Sequence, residues 1–148
     1  MLIIVDKPKI PGWLKLVNPV VTFLNKSGLP VGPMEVLTTT GRRSGKSISN
    51  PISVLTVDGE RYVCTVGDTN WVLNARANPR VTLQRSRHRY TASLVEVPEA
   101  DRGRILREFP AKIPGGVSFF RYSLGISGTP ESFGQAADRC RVFRIVTS

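Results

Sequence analysis

One histidine, two cysteines and few aromatic residues are spread over 148 positions, and each scarcity removes a class of protein. Cys64 and Cys140 are too far apart for a local redox pair and too few for a disulfide framework or a cysteine cage around a metal. Two reduced, buried thiols are the expectation. His88 stands alone in the turn Arg85-Ser86-Arg87-His88-Arg89, so no Ser/His/Asp relay and no metal site can be assembled around it. Aromatics make up 7% of the chain, thin material for a nucleic-acid stacking platform, which needs several exposed rings on one face. Long apolar runs are missing too: Leu2 to Val5, and Val20 and Val21 with Phe23 and Leu24, fall short of the ~18 consecutive residues of a spanning helix. Apolar residues follow Met1 directly and Lys7, Pro8, Lys9 and Pro11 come after them, the reverse of a secretory signal. A cytoplasmic protein without a transmembrane helix is expected.

Acidic residues are scarce as well: 11 Asp and Glu face 21 Lys and Arg, for a net charge of +10. Such a field suits nucleic acid, an anionic membrane surface or a phosphorylated or polycarboxylate cofactor, and charge alone does not choose among them. Hydrophobic residues at 41% and charged residues at 22% are ordinary for a soluble globular protein and exclude disorder as the whole answer. The length suits one domain, residues 1–148, around a single core.

Prolines at 8, 11, 19, 30 and 33 leave the first segment, residues 1–33, room for one amphipathic helix between Trp13 and Lys26. Its apolar stripe fits packing on the domain's own sheet first, and peripheral contact with a membrane or a lipophilic substrate second. From Met34 the pattern changes to short β-rich runs between turns, the grammar of an antiparallel sheet or small barrel. Strands are predicted at Glu35 to Thr40, Ser47 to Val57, Arg61 to Val66, Arg80 to Arg85, Arg89 to Val97 and Arg141 to Val146. Pro51 must sit at an edge or a bulge, and Asp58-Gly59 marks a hairpin. Helices are predicted over Asn70 to Ala77, ending before Pro79, and over Pro98 to Phe109, ended by Pro110. Residues 111–138 give no clear pattern.

Two stretches carry chemistry. Gly41-Arg42-Arg43-Ser44-Gly45-Lys46 places three cations, a hydroxyl and two glycines in six residues. Glycine lets backbone N–H groups approach an oxyanion, and guanidinium groups grip phosphate or carboxylate bidentately. The spacing is not that of a P-loop, and a strand rather than a helix follows. Asn70 to Pro79 is the second stretch; on a helix, Trp71, Asn74 and Asn78 share a face.

Taken together, Thr38-Thr39-Thr40-Gly41-Arg42-Arg43-Ser44-Gly45, Asn50-Pro51, Asp58-Gly59, Gly67-Asp68 and Trp71-Val72-Leu73-Asn74 through Asn78-Pro79 resemble the deazaflavin-dependent nitroreductase family. The likeness covers about Glu35 to Val97. It implies a mainly β fold with short helices, a split β-barrel of the flavin- and deazaflavin-binding type. It further implies an oxidoreductase that uses reduced coenzyme F420, whose phosphate and oligoglutamate tail are polyanionic, to pass a hydride to a small apolar acceptor such as a quinone, enone or nitroaromatic. By this resemblance Arg42, Arg43 and Ser44, with Lys46 beside them, form the phosphate-binding turn. Asn50 and Pro51 lie next to the cofactor, and Gly67, Asp68 and Trp71 run along its ring. Where many members carry a basic residue before the Asn-Pro pair and aromatics after it, this chain has Ile48, Ser53 and Val54. Phe120, Tyr122 and Ser123, beside Phe119, are the substrate-side candidates, with Tyr122 or Ser123 as a proton donor; no catalytic side chain is singled out. The partner is a small-molecule acceptor rather than nucleic acid. A deazaflavin carrier, an FMN-binding split barrel and, last, a nucleic-acid-binding β-barrel remain the alternatives.

Overall fold

The computed structural model describes residues 34–147; the helix expected between Trp13 and Lys26 lies outside them. Strands β1 (Met34–Thr40), β2 (Ser47–Val57), β3 (Glu60–Val66), β4 (Arg80–Arg85), β5 (His88–Glu96) and β6 (Cys140–Thr147) form a closed barrel in the order β1-β2-β3-β6-β5-β4. Every pairing is antiparallel. This is the mainly β barrel with short helices that the sequence led us to expect. Val57 and Glu60 pair across Asp58 and Gly59, whose φ angles of +52° and +80° build a hairpin that follows the strand twist.

Pro51 sits opposite Val36 in the β1–β2 ladder, while the pairing of β2 with β3 begins only at Val54. Among the described residues the first half of β2 therefore has one neighbour, and Pro51 occupies the edge position its missing N–H requires.

Alternation divides each strand between two environments. Leu37, Ile52, Val63, Leu83, Ala92 and Phe143 point into the barrel, where helix α1 (Asn70–Ala77) adds Trp71, Val72 and Ala75. Glu35 and Tyr90 also turn inward: the Tyr90 hydroxyl donates to Glu35 Oε1 at 2.6 Å and accepts from Arg61 Nη1 at 2.8 Å. The Arg61 guanidinium carbon lies 5.2 Å from the Tyr90 ring centroid. The buried carboxylate is thus paired, as burial of a charge demands. Burial, and then the bond to Glu35, push the Tyr90 phenol up to about 12.

A second core covers the outer face of β3, β6 and the end of β2. Leu55, Tyr62, Cys64 and Val142 meet residues from α2 (Glu99–Leu106), α3 (Phe109–Lys112), α4 (Val117–Leu124) and α5 (Pro130–Gln135). Phe109, Phe120 and Phe133 stack at its centre, with ring centroids 4.6, 5.3 and 5.1 Å apart. Buried Arg102 ties α2 to the entry of β6, donating to the carbonyls of Val97, Ala137 and Cys140 at 2.9, 3.3 and 3.0 Å. Here the sequence reading of a single helix ended by Pro110 is corrected. α2 stops at Leu106, and Pro110 lies in the first turn of α3, where a missing N–H leaves no hydrogen bond unmade. Both cysteines are free and buried in this core, and burial pushes the Cys140 thiol up to about 12 and the Cys64 thiol higher still.

Candidate functional site

The turn between β1 and β2 is closed by its own backbone. Gly41 N donates to the Lys46 carbonyl at 2.8 Å and Gly45 N to the Gly41 carbonyl at 2.9 Å. Ser44 Oγ accepts from Lys46 N at 3.2 Å, so this oxygen braces the turn from within. A Cβ on Gly41 would come within 2.8 Å of that Oγ, and Gly45 has φ +73°, so both positions call for glycine. Arg42, Arg43 and Lys46 are left exposed on the outside, and no carboxylate among the described residues pairs with them.

Helix α1 anchors this turn. Thr69 caps the helix, accepting from Val72 N, and the following turn buries Asn74 to 1% exposure. Asn74 Oδ1 accepts from Arg42 N at 3.2 Å and from Arg42 Nη1 at 2.8 Å, while its Nδ2 donates to Thr39 Oγ1 at 3.3 Å. One end of the Arg42 guanidinium is thereby fixed and the rest is turned outward, an arrangement that pre-organises a cation for an anionic ligand.

Beside the turn, on the outer face of β1, β4 and β5, lies a cleft of about 280 Å³ lined by Thr38, Thr40, Ser47, Arg80, Thr82 and Thr91, among others. Register explains the lining. Thr38 pairs with Thr82 and Thr82 with Thr91, so their side chains form a row across three strands. Thr38 Oγ1 lies 2.9 Å from Ser49 Oγ on β2, which extends the row. Asn78 ends α1 at the cleft and accepts from Arg80 N at 3.3 Å. Hydroxyls, an amide and a guanidinium with no acid among them suit a ligand rich in oxygen and negative charge.

The structure thus brings Arg42, Arg43, Ser44 and Lys46 together and adds Asn74 beneath them. Asn50 and Pro51 lie on β2, opposite Leu37 and Val36. The others have different surroundings. Gly67 is buried with φ +65° and donates to the Arg139 carbonyl at 3.0 Å. Asp68 is held by Arg141 Nε at 2.8 Å and Arg76 Nη1 at 3.2 Å. Trp71 is 7% exposed and packs in the barrel core, its ring 5.6 Å from Phe143. Phe120, Tyr122 and Ser123 belong to α4, on the helix-covered side of the barrel; Phe120 is buried in the aromatic core and Tyr122 is 57% exposed. His88 is exposed, stacked on Tyr90 at 5.3 Å. Sequence reasoning missed Arg80 and the threonine row. The row's members are distant in sequence, and only the register aligns them.

The architecture is thus a six-stranded antiparallel barrel with a cationic turn and a hydroxyl-lined cleft at its side. Residues 21–122 match the family model described as F420H(2)-dependent quinone reductase, and the chain belongs to that family. It is an F420-dependent oxidoreductase, and its cofactor is coenzyme F420. The sequence resemblance was to deazaflavin-dependent nitroreductases; the family match keeps the deazaflavin and names quinone reduction instead. Among solved structures the chain is similar to an F420-H2 dependent reductase, FDR-A, at 20% identity and TM-score 0.52, over 76% of this chain and 93% of that one. It is similar to an FAD-binding protein from Mesorhizobium loti at 13% identity and TM-score 0.54, over 95% and 92% of the two chains. A structure described as a domain-swapped dimer aligns at 19% identity and TM-score 0.55, over 90% of this chain and 96% of that one. At such identities the likeness is one of fold. No curated protein matches the chain.

The residues fit the anionic half of coenzyme F420: Arg42, Arg43 and Lys46 offer cations that no described carboxylate pairs with, and the adjacent cleft offers hydroxyl and guanidinium donors with no carboxylate among its described lining. No described helix is long and apolar enough to cross a membrane, and no group of metal-ligating side chains occurs among the described residues.

Proposed function

We propose that this protein transfers a hydride from reduced coenzyme F420 to a small quinone-like acceptor, with the cofactor's phosphate held at the Gly41–Lys46 turn and its body lying along the threonine cleft. The observation that carries the reading is the pair of hydrogen bonds from Arg42 to buried Asn74, which fixes a cation beside the cleft before any ligand arrives. When bound, the reduced deazaflavin supplies a hydride at its ring carbon. The protein's share is to hold and orient. Arg42, Arg43 and Lys46 bind the anionic end, the Thr38–Thr82–Thr91 row donates to and accepts from the polar edge, and the threonine methyl groups limit water along the face. Reduction of a quinone to a hydroquinone consumes one hydride and one proton. Among the described residues the cleft lining holds no carboxyl or imidazole group, and water at its open side is the proton source we assign.

The experiment is a titration with coenzyme F420 followed by its ring fluorescence, with FMN as comparator, then mixing of the reduced cofactor, the protein and a soluble quinone. Saturable binding of the deazaflavin that weakens with salt, followed by quinone-dependent oxidation, supports the reading. Binding without turnover favours a deazaflavin carrier, and tight FMN binding in its place favours the flavin alternative.

A further inference from the structure

Lysine is nearly absent from the described part of the chain. Among residues 34–147 it occurs only at positions 46 and 112, both exposed, and every other basic side chain apart from His88 is an arginine. Lys46 closes the turn that Arg42 and Arg43 open: its carbonyl accepts from Gly41 N at 2.8 Å, and its own N donates to Ser44 Oγ at 3.2 Å. No described carboxylate pairs with either lysine. The two kinds of cation do different chemistry. A guanidinium stays protonated and holds an anion, whereas an ammonium that gives up its proton becomes a nucleophile. The reading given above counts Lys46 as one more positive charge and leaves its amine chemistry without a part.

We propose that the Gly41–Lys46 turn is also an acylation site, at which an acyl phosphate seats its phosphoryl group against Arg42 and Arg43 and gives its acyl group to the amine of Lys46. The neutral Nζ attacks the acyl carbon and forms a C–N bond. The bond from that carbon to the bridging oxygen breaks, its electron pair leaves with inorganic phosphate, and the amine's surplus proton passes to water. No group is oxidised or reduced. The guanidinium groups help in two ways: they hold the electrophile beside the nucleophile, and they offset the charge that builds on the departing phosphate. Asn74 keeps one of them in place before any ligand arrives. Lys112 lacks this company, for its helix α3 contains no arginine. The amide product is neutral, so acylation leaves the turn with Arg42 and Arg43 as its only cations. Here the inference rests on the cofactor reading: an acylated turn holds coenzyme F420 less tightly, and bound cofactor shields the amine.

The test is incubation of the protein with acetyl phosphate, with acetylation of each lysine followed by peptide mass spectrometry. The acetyl ester of N-hydroxysuccinimide, which carries no phosphate, is the comparator. Acetyl phosphate should modify Lys46 about tenfold faster than Lys112, the factor expected of one charge-assisted contact to the phosphoryl group, and the ester should modify both at similar rates. Inorganic phosphate should slow the reaction at Lys46 alone, and Arg42→Ala combined with Arg43→Ala should bring it down to the Lys112 rate. Similar rates at the two lysines with acetyl phosphate, the same preference for Lys46 with the ester, or a preference that survives loss of both arginines overturns the site. After acetylation, coenzyme F420 titrated by ring fluorescence should bind about tenfold more weakly, while the same treatment should leave Lys46→Arg with the affinity it had before treatment. Selective acetylation with unchanged cofactor affinity overturns the control over binding and the seat of the cofactor's phosphate on this lysine, and the acylation chemistry stands.

Discussion

Asn74 and Arg42 are 32 positions apart in the chain, and a single side-chain oxygen of the first accepts both the backbone N–H and the guanidinium of the second. The bond joins a buried polar residue of the helix to an exposed cationic turn. Replacing Asn74 with Ala removes that acceptor and leaves Thr39 without its amide partner. We expect a loss of about 1 to 3 kcal/mol in urea unfolding together with weaker coenzyme F420 binding. Arg42→Ala should weaken binding while leaving the unfolding midpoint nearly unchanged, because its side chain is exposed.

Arg42→Ala combined with Arg43→Ala removes two of the three cations at the turn. If each makes one charge-assisted contact, cofactor affinity falls by about 2 to 4 kcal/mol, or roughly 30- to 1,000-fold. The dependence of affinity on salt should become shallower in the same titration. Unchanged affinity would place the phosphate elsewhere.

Trp71→Ala should act through folding. Its ring is buried against Phe143 in the barrel interior, and loss of a buried large aromatic costs about 3 to 5 kcal/mol. Trp71→Phe keeps most of the volume, so we expect a stable protein with near-wild-type cofactor affinity. A folded Trp71→Phe variant that no longer binds the cofactor would show a contact between the indole and the ligand.

Acid should loosen the link between α1 and β5. Arg76 donates to both oxygens of Glu96, at 2.9 and 2.8 Å, and this pairing, against the opposing effect of burial, holds the Glu96 carboxyl below its usual range. A carboxylate whose folded-state pKa is depressed contributes stability above its unfolded value, and that contribution is lost as the pH falls through the folded value. Stability should therefore drop between about pH 5 and pH 3, and Glu96→Gln should flatten that part of the profile. The pair is about a third exposed, so the effect is modest, about 1 kcal/mol or less. Thermal melts of both proteins across this range measure it.

Both thiols should resist alkylation in the native state, because Cys64 and Cys140 are buried and burial disfavours the thiolate. Labelling kinetics in increasing urea should follow the unfolded fraction. Fast labelling without denaturant would show that the helical layer opens on its own.

Much of the barrel was legible because its signals are local. Asp58-Gly59 marks a hairpin by backbone preference alone, alternation marks the strands on either side, and the glycine-spaced cations of the 41–46 turn stand together in the sequence. Relations set by tertiary packing were not legible. Helical spacing puts Trp71 and Asn74 near one face without saying that this face turns inward to the barrel core. Phe109, Phe120 and Phe133 become one cluster only once three short helices fold over the sheet, and none of these helices is long enough to show a clear period. Proline misled in one place: Pro110 begins α3, since the first turn of a helix tolerates it as readily as the end of one.

The half-paired strand β2 has a further consequence. A stretch of strand with one free side is a template on which another chain can add, the usual first step in aggregation of β proteins. Pro51 is paired with Val36 on β1 and has no N–H to offer on any side, so an incoming strand finds a donor missing in the middle of the stretch that does not pair with β3. The residue at the centre of the stretch of β2 that does not pair with β3 is thus the one least able to receive a further strand there.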